Sequence, residues 1–206
     1  MLALVAVATA APAQAAEETI ARTPEAREKF IREFKRIGLN TTPGDAMMLR
    51  ILVRASGAKR GVEVGSATGY GAINMGVAFE ANGGTLETID IDPKMVRAAR
   101  RNVHLMGLDR TVKVIEGDAL EVLPKLEGIY DFVFIDALKR DYLKYFKAIE
   151  PKLRTGAVIV ADNVIRFADD MRDFLDYVGN SPDYEMVTIR ASEEKHDGMA
   201  IIYKLR

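Results

Sequence analysis

Oxygen-bearing side chains follow two apolar runs in the second half of the chain. Asp136, with Lys139 three residues later, comes after the first run, and Asp162-Asn163 come after the second. Both runs are predicted to be buried strands of a parallel sheet, whose carboxyl ends form the usual ligand-binding edge. Two carboxylates and an amide oxygen at that edge suit a hard divalent cation such as Mg²⁺. Lys139 could reach the same point as a base or as a charge partner.

A glycine-rich turn, Gly61–Gly71, precedes these groups and is predicted to join a strand to a helix. Gly65 and Gly69 let the backbone approach a ligand closely, and the N–H groups of the helix face that ligand. Their Gly-x₃-Gly spacing differs from the Gly-x-Gly-x₂-Gly of dinucleotide-binding turns. Glu63 would repel phosphate and therefore favours a cationic or amino-bearing ligand. A glycine turn without any ligand is the alternative.

Acidic residues end the next two predicted strands. Asp90 comes 21 residues after Gly69, where a carboxylate usually accepts hydrogen bonds from ribose hydroxyls. Asp92 is predicted to cap the following helix, ahead of Pro93. Asp118 ends the third strand, where it either holds an adenine amino group or caps a helix. The glycine turn, Asp90 and Asp118 follow three successive predicted strands. Together they indicate a nucleoside site more specifically than any one of the three features does alone.

Strand and helix patterns alternate through the middle of the chain, which is typical of a parallel sheet covered on both faces. Two helices come first: one opens at Thr23-Pro24 and is expected to run to Gly38, and one opens at Thr42-Pro43 and ends at Gly57. The predicted strands are Gly61–Val64, Thr85–Ile91, Val112–Glu116, Phe132–Ile135 and Ala157–Ala161. The later helices are predicted near Tyr70–Glu80, Pro93–Met106, Ala119–Leu126, Tyr142–Leu153 and Phe167–Val178.

The C-terminal part has two strand-like runs, Tyr184–Arg190 and Met199–Leu205, without a helix between them. They predict an antiparallel pair at one edge of the sheet. We therefore expect an α/β fold, a Rossmann-like, doubly wound and mostly parallel seven-stranded sheet with an antiparallel C-terminal edge strand and helices on both faces.

The composition of the chain is that of one ordinary globular domain. Its 206 residues are 49% hydrophobic and 29% charged, and the formal net charge is −1. The near-zero charge argues against nucleic acid or an acidic membrane as a partner. The absence of cysteine excludes disulfides, thiolate metal sites and cysteine nucleophiles. We expect residues 17–206 to form a single domain, with helices in 17–57 and the Rossmann-like core in 58–206.

The first 16 residues are apolar and rich in alanine. Ala13-Gln14-Ala15 fits the cleavage pattern of a secretory signal, but no Lys or Arg occurs before Arg22. The segment is also short for a membrane span, so stable membrane insertion is not expected. A functional signal would send the protein to the periplasm. A start-site artefact or a non-essential helical tail would leave it in the cytoplasm.

Taken together, these motifs resemble those of class I S-adenosylmethionine-dependent methyltransferases, and more narrowly the catechol and caffeoyl-CoA O-methyltransferase family. Glu63–Tyr70 is similar to the family's E-x-G-x-x-x-G-Y signature, and the LETIDIDP segment, which ends at Pro93, to its second strand. The resemblance runs from about Thr42 to the C-terminus, including the last helix and the terminal strands.

The resemblance implies S-adenosylmethionine and Mg²⁺ as cofactors and a small aromatic vicinal diol, of the catechol or hydroxycinnamoyl type, as methyl acceptor. Asp90 would bind the ribose and Lys139 would be the catalytic base. The implied metal ligands are Asp136, Asp162 and Asn163. The cofactor site predicted from the glycine turn and the strand ends comprises Glu63, Gly65, Ser66, Gly69, Tyr70, Asp90, Ile91, Asp118, Ala119 and Asp136. A homodimer is left open.

Two positions depart from the family pattern. Gly71 stands where the family usually has a serine that contacts the cofactor's carboxylate, a contact that Ser66 could make instead. Asp197-Gly198 is followed by Met199 rather than by the glutamate that touches the second hydroxyl in catechol-specific members. This second departure bears on the identity of the acceptor more than on the reaction.

The sequence is less compatible with three other functions. Methylation of a hydroxylated RNA base is disfavoured by the near-neutral charge. A cofactor-binding module without catalysis is disfavoured by the complete set of Asp136, Lys139, Asp162 and Asn163. A nicotinamide dehydrogenase is disfavoured because the Gly-x-Gly-x₂-Gly turn is missing.

Overall fold

The computed structural model describes residues 21–192 and 194–206, so the signal-like segment 1–16 lies outside the described residues. The strands are β1 (Arg60–Val64), β2 (Thr85–Asp90), β3 (Val112–Glu116), β4 (Tyr130–Ile135), β5 (Leu153–Ala161), β6 (Tyr184–Ser192) and β7 (Asp197–Lys204). The helices are α1 (Pro24–Glu33), α2 (Pro43–Ala55), α3 (Tyr70–Asn82), α4 (Pro93–Leu105), α5 (Ala119–Val122), α6 (Tyr142–Ile149) and α7 (Arg172–Gly179). None of the helices in this described part has the length and apolar character needed to cross a membrane.

The seven strands form one sheet in the order β3-β2-β1-β4-β5-β7-β6. The first five strands are parallel, and β7 pairs antiparallel with both β5 and β6. The predicted mostly parallel α/β fold with an antiparallel C-terminal pair is therefore confirmed. The strand that runs against the others is β7, which lies between β5 and β6, and β6 is the strand at the edge. The strand order reverses between β1 and β4, and ligands of open α/β sheets bind at the carboxyl ends beside such a reversal.

Alternation along the strands sends side chains to two separate cores. On β4, Phe132 and Phe134 belong to one buried cluster, whereas Val133 and Ile135 belong to the other. The cluster around the two phenylalanines includes side chains of α2 and α3, and the cluster around Val133 includes side chains of α6 and α7. Because β4 is buried on both faces, it reads as a continuous apolar run, as expected for a central parallel strand.

The first helix is shorter than predicted. Thr23 caps α1 by accepting a hydrogen bond from the N–H of Ala26 at 3.2 Å, as expected. The helix ends at Glu33 instead of continuing to Gly38, because Phe34 adopts an extended ψ of 126°. Its ring then packs on Tyr70, with 5.0 Å between the centroids. Tertiary packing here overrides the helical spacing of the apolar residues.

The last helix begins later than predicted, at Arg172 rather than near Phe167. Asn163 has a left-handed φ of 63°, and the chain continues through turns before the helix starts. The N–H of Phe167 donates to the carbonyl of Asn163 at 3.1 Å. The turn segment 164–171 therefore stays next to the end of β5, where the predicted metal ligands lie.

Gly65 fixes how closely the ends of β1 and β4 approach each other. Its φ of +96° is left-handed, and a Cβ added there would overlap the main-chain oxygen of Asp136 and lie 2.8 Å from its carbonyl carbon. The N–H of Asp136 donates to the carbonyl of Val64 at 2.8 Å, so the two loops are also joined by a hydrogen bond. Only glycine meets both the conformational and the steric requirement.

We expect Gly65→Ala to lower the free energy of unfolding by about 2–5 kcal/mol, because it combines left-handed strain with a clash against main chain. Urea unfolding measures this loss. Gly38→Ala is the matched control, since a Cβ at Gly38 meets no atom within 4 Å. Equal stability of the two variants would contradict the constraint assigned to Gly65.

Glu63 is a buried carboxyl within β1, with 1% of its surface exposed. It accepts a hydrogen bond from the hydroxyl of Thr88 on the neighbouring strand β2. Burial raises the pKa of Glu63 to about 8, against the opposing hydrogen bond from Thr88 and with smaller contributions from the charges of Asp136 and Asp90. The cofactor-free protein therefore keeps this group protonated at neutral pH.

The raised pKa of Glu63 makes a prediction about stability. Between about pH 5 and pH 8 the unfolded chain has lost this proton and the folded protein retains it, so stability falls as the pH rises, by up to about 1.4 kcal/mol per pH unit. Glu63→Gln removes this contribution. Urea unfolding at several pH values should show the variant gaining stability relative to the parent across that window, whereas the exposed Glu127→Gln should not. Parallel curves for the parent and Glu63→Gln would contradict the assignment.

Candidate functional site

A cleft of about 880 Å³ lies at the carboxyl ends of the parallel strands, beside the reversal of strand order. Residues that follow β1, β2, β3, β4 and β5 all contribute to its wall. The predicted site residues among its lining are Gly65, Asp90, Ile91, Asp118, Ala119, Asp136, Lys139 and Asn163. The sheet thus brings together groups that are far apart in the sequence.

Five other predicted site residues lie outside the lining of the cleft: Glu63, Ser66, Gly69, Tyr70 and Asp162. All five are buried. The hydroxyl of Ser66 is enclosed without a hydrogen-bond partner among the described residues. Tyr70 packs against Phe34, and the guanidinium of Arg36 lies 5.8 Å from its ring centroid.

Asp90 is held by the main chain of the glycine turn. One carboxylate oxygen accepts the N–H of Ala67 at 2.8 Å, and the other accepts the N–H of Asp92 at 2.9 Å. The turn itself is closed by hydrogen bonds from the N–H groups of Gly65 and Ser66 to the carbonyl of Ile89. These bonds fix the carboxylate at the end of β2, in the position where related sheets contact ribose hydroxyls.

Asp118 caps the short helix α5, since its carboxylate accepts the N–H of Leu120 at 2.8 Å. The same residue lines the cleft. Asp92 caps α4 in the predicted way, with the N–H of Lys94 donating at 2.7 Å.

The glycine at position 71 leaves room for the buried carboxyl of Glu63. A Cβ added to Gly71 would lie 2.6 Å from Oε1 of Glu63. A side chain at Gly71 therefore requires the Glu63 carboxyl to shift. This gives a structural reason for the glycine, which departs from the serine of the family pattern.

The side-chain oxygens at the ends of β4 and β5 have little positive charge around them. Asp162 is 0% exposed, and its Oδ2 has no hydrogen-bond partner among the described residues. Burial raises the pKa of Asp162, and the carboxylates of Asp136 and Asp45 raise it further. Its Oδ1 accepts the N–H of Asn163 at 2.7 Å, which turns Asn163 into the cleft wall.

These oxygens fit a hard divalent cation by their chemistry. Two carboxylates and an amide oxygen form an all-oxygen donor set, and a cation would satisfy the orphaned oxygen of Asp162. Across the described part of the chain, no cluster of three or more His, Cys, Asp or Glu side chains is arranged to hold a metal. The predicted set differs from such a cluster because its third oxygen comes from an asparagine.

Lys139 lies at the centre of this group. Its Nζ donates to Oδ1 of Asp136 and to the hydroxyl of Tyr142, each at 2.9 Å. The Tyr142 hydroxyl donates in turn to the main-chain oxygen of Asp162 at 3.1 Å. Burial, with the charges of Asp136 and Asp162, raises the pKa of Tyr142 well above its ordinary value, so it stays a hydrogen-bond donor.

The sequence interpretation did not identify several groups at the cleft. The lining also includes Met95, Leu138, Tyr145, Arg166 and Phe167. Ile91 and Leu138 are 68% and 48% exposed, and such large exposed apolar side chains beside a cleft suit a planar ligand. Helical spacing could not have identified this apolar lining. Met95 and Tyr145 lie on helices, where an apolar residue is as readily explained by the core as by a ligand site.

Asp197 also has a local role that the sequence did not reveal. Its Oδ1 accepts the N–H groups of Ile165, Arg166 and Gly198 at 3.2, 3.0 and 2.8 Å. The N–H of Val164 donates to the carbonyl of Gly198 at 3.0 Å. The start of β7 therefore holds the turn that follows Asn163.

Comparison with known proteins agrees with this fold. The chain is 37% identical over 132 residues to a catechol O-methyltransferase of Niastella koreensis, and 36% identical over 135 residues to one of Mycobacterium tuberculosis. These matches cover 62% and 65% of this chain and 59% and 60% of the relatives. The chain thus matches about three fifths of the length of these curated relatives.

Two crystal structures show the same architecture. An O-methyltransferase of Bacillus cereus in complex with SAH has a TM-score of 0.77 at 25% identity, over 87% of this chain and 89% of that one. The O-methyltransferase TomG of Streptomyces achromogenes, in complex with SAM, has a TM-score of 0.79 at 27% identity, over 90% and 92%. The family model described as O-methyltransferase matches residues 17–173, more than half of the chain, and the protein therefore belongs to the O-methyltransferase family.

Proposed function

We propose that the protein transfers a methyl group from S-adenosylmethionine to one hydroxyl of a small aromatic vicinal diol, with the help of Mg²⁺. The observation that carries the proposal is the pairing of Lys139 and Asp136 in the same cleft as the glycine turn, with the buried, unpartnered Oδ2 of Asp162 at the end of the neighbouring strand β5. The two curated relatives described above are both named catechol O-methyltransferase, which supports this acceptor class.

The half of the cleft at the carboxyl ends of β1, β2 and β3 suits the cofactor. Asp90 presents a carboxylate fixed by two main-chain N–H groups, which orients it toward ribose hydroxyls. Gly65 lets the main chain approach without a side chain in the way. Asp118, at the start of α5, would accept a hydrogen bond from the amino group of an adenine. The negative charges around this half favour a cofactor that carries a sulfonium.

The half behind β4 and β5 suits the acceptor and the metal. Asp136, Asp162 and Asn163 would hold Mg²⁺, which lowers the pKa of a coordinated diol hydroxyl and orients it. Lys139 Nζ, in its neutral form, accepts the hydroxyl proton, and in its charged form it stabilises the phenolate. The exposed apolar side chains of Leu138 and Ile91 line the cleft and would exclude water from a bound ring. Holding the oxygen in line with the methyl group supplies the rest of the rate enhancement.

A direct test measures methyl transfer to a panel of catechols and hydroxycinnamates. The formation of SAH is monitored in the presence of Mg²⁺ and in the presence of excess EDTA. We expect turnover only with Mg²⁺ and only with vicinal diols. Full turnover in EDTA would contradict the metal assignment. Cofactor binding without transfer to any member of the panel would contradict the acceptor class.

We expect Asp136→Ala and Asp162→Ala to lower methyl transfer at least about 100-fold, because each removes a metal ligand that orients the diol. SAH affinity, measured by isothermal titration calorimetry, should stay close to that of the parent. Asp170→Ala is the control, since Asp170 is exposed and lies outside the cleft lining. Undiminished transfer by either ligand variant would remove that residue from the site.

We expect Lys139→Ala to lower kcat by about 10²–10⁴-fold, the scale of a general base. Cofactor binding should be unaffected. Lys144→Ala is the control, because Lys144 is a mostly exposed lysine that pairs with Asp141 rather than with Asp136. An unchanged kcat for Lys139→Ala in single-turnover measurements would exclude the lysine from the mechanism.

A further inference from the structure

The hydroxyl of Tyr142 joins the ends of two neighbouring strands. It accepts a hydrogen bond from Nζ of Lys139, in the segment after β4, at 2.9 Å. It donates to the main-chain oxygen of Asp162, directly after β5, at 3.1 Å. With one hydrogen bond donated and one accepted, the hydroxyl links the lysine to the segment that carries Asp162 and Asn163.

The ring that carries this hydroxyl is held firmly. Tyr142 is 0% exposed and meets Phe174 edge-on, with 5.9 Å between the ring centroids and 73° between the planes. Phe174 packs in the same way on Phe146, at 5.6 Å. A side chain enclosed by close-packed rings cannot turn its hydroxyl away without opening the core.

Lys139 gains a defined position from this contact. A lysine stem is flexible and loses rotamer entropy when it is held in one place. The ammonium group has three N–H directions, and the structure uses two of them, on Asp136 and on Tyr142. The Nζ also lies 5.1 Å from the centroid of the Tyr142 ring.

We propose that Tyr142 is a positioning residue that holds the Nζ of Lys139 in place for the acceptor hydroxyl. This inference rests on the proposed function, because it takes Lys139 as the group that receives the proton. Tyr142 acts through Lys139 and is separated from the acceptor by it, so its effect belongs to kcat rather than to binding.

Tyr142→Phe isolates the hydroxyl, because the ring packing and the cation–π contact remain. We expect kcat to fall about 10-fold, the effect of one hydrogen bond to a charged group, with the KM values for acceptor and cofactor changed less than about 2-fold. Tyr184→Phe is the matched control. Its hydroxyl donates to Glu150 at 2.8 Å, and its ring packs on Phe146 in the same aromatic cluster.

A double-mutant cycle tests whether Tyr142 acts through the lysine. In the Lys139→Ala background, Tyr142→Phe should change kcat by less than about 2-fold. The Mg²⁺ affinity of Tyr142→Phe, measured by calorimetry, should match the parent. An equal loss in both backgrounds, an unchanged kcat in the single variant, or a fall in Mg²⁺ affinity parallel to kcat would each overturn the proposal, the last by tracing the effect to Asp162.

A readout without turnover separates this proposal from the proposed function. Acetic anhydride labelling, mapped by peptide mass spectrometry, should modify Lys139 several-fold faster in Tyr142→Phe than in the parent and in Tyr184→Phe. A parent protein that methylates no diol would contradict the proposed function, and the labelling would still decide whether Tyr142 restrains Lys139. Equal labelling of Lys139 in all three proteins would overturn the positioning role.

Discussion

The contact between Gly65 and the main chain of Asp136 is the constraint on which the site depends. β1 and β4 are neighbours at the reversal of strand order, and their carboxyl ends come together because position 65 carries no side chain. The turn after β1 forms one wall of the cleft, and the segment after β4 forms the other. The proposed chemistry requires a methyl donor and an acceptor to be brought into line within this cleft, so the steric requirement at Gly65 is also a requirement of that chemistry.

The second organising feature is an excess of carboxylates at the buried ends of the strands. Glu63 and Asp162 are enclosed, and burial raises the pKa of both. Lys139 supplies one positive charge to this region through Asp136. A sulfonium and a divalent cation would supply more, and their binding would stabilise the ionised form of these acids. The proposed cofactors and the acids of the cleft are therefore complementary in charge.

Much of this arrangement could be predicted from the sequence because it follows from local patterns. Glycine spacing, apolar runs and capping residues predicted the turn after β1, the parallel strands and the caps at Thr23, Thr42 and Asp92. Contacts between distant segments gave no such signal. Phe34 leaves its helix to pack on Tyr70, and Asp197 holds a turn some thirty residues earlier in the chain. Tyr142 begins a predicted helix and its ring is buried in the core, but its hydroxyl bonds depend on how β4 and β5 end side by side.

In the proposed mechanism, Asp136, Asp162 and Asn163 would hold a divalent metal that helps to bind the acceptor diol. Isothermal titration of catechol into the protein saturated with SAH, with and without Mg²⁺, tests it most directly because no turnover is needed. We expect catechol binding to require Mg²⁺. We also expect binding to be lost when one of the two ring hydroxyls is removed. Equal catechol affinity in the presence and absence of Mg²⁺ would contradict it.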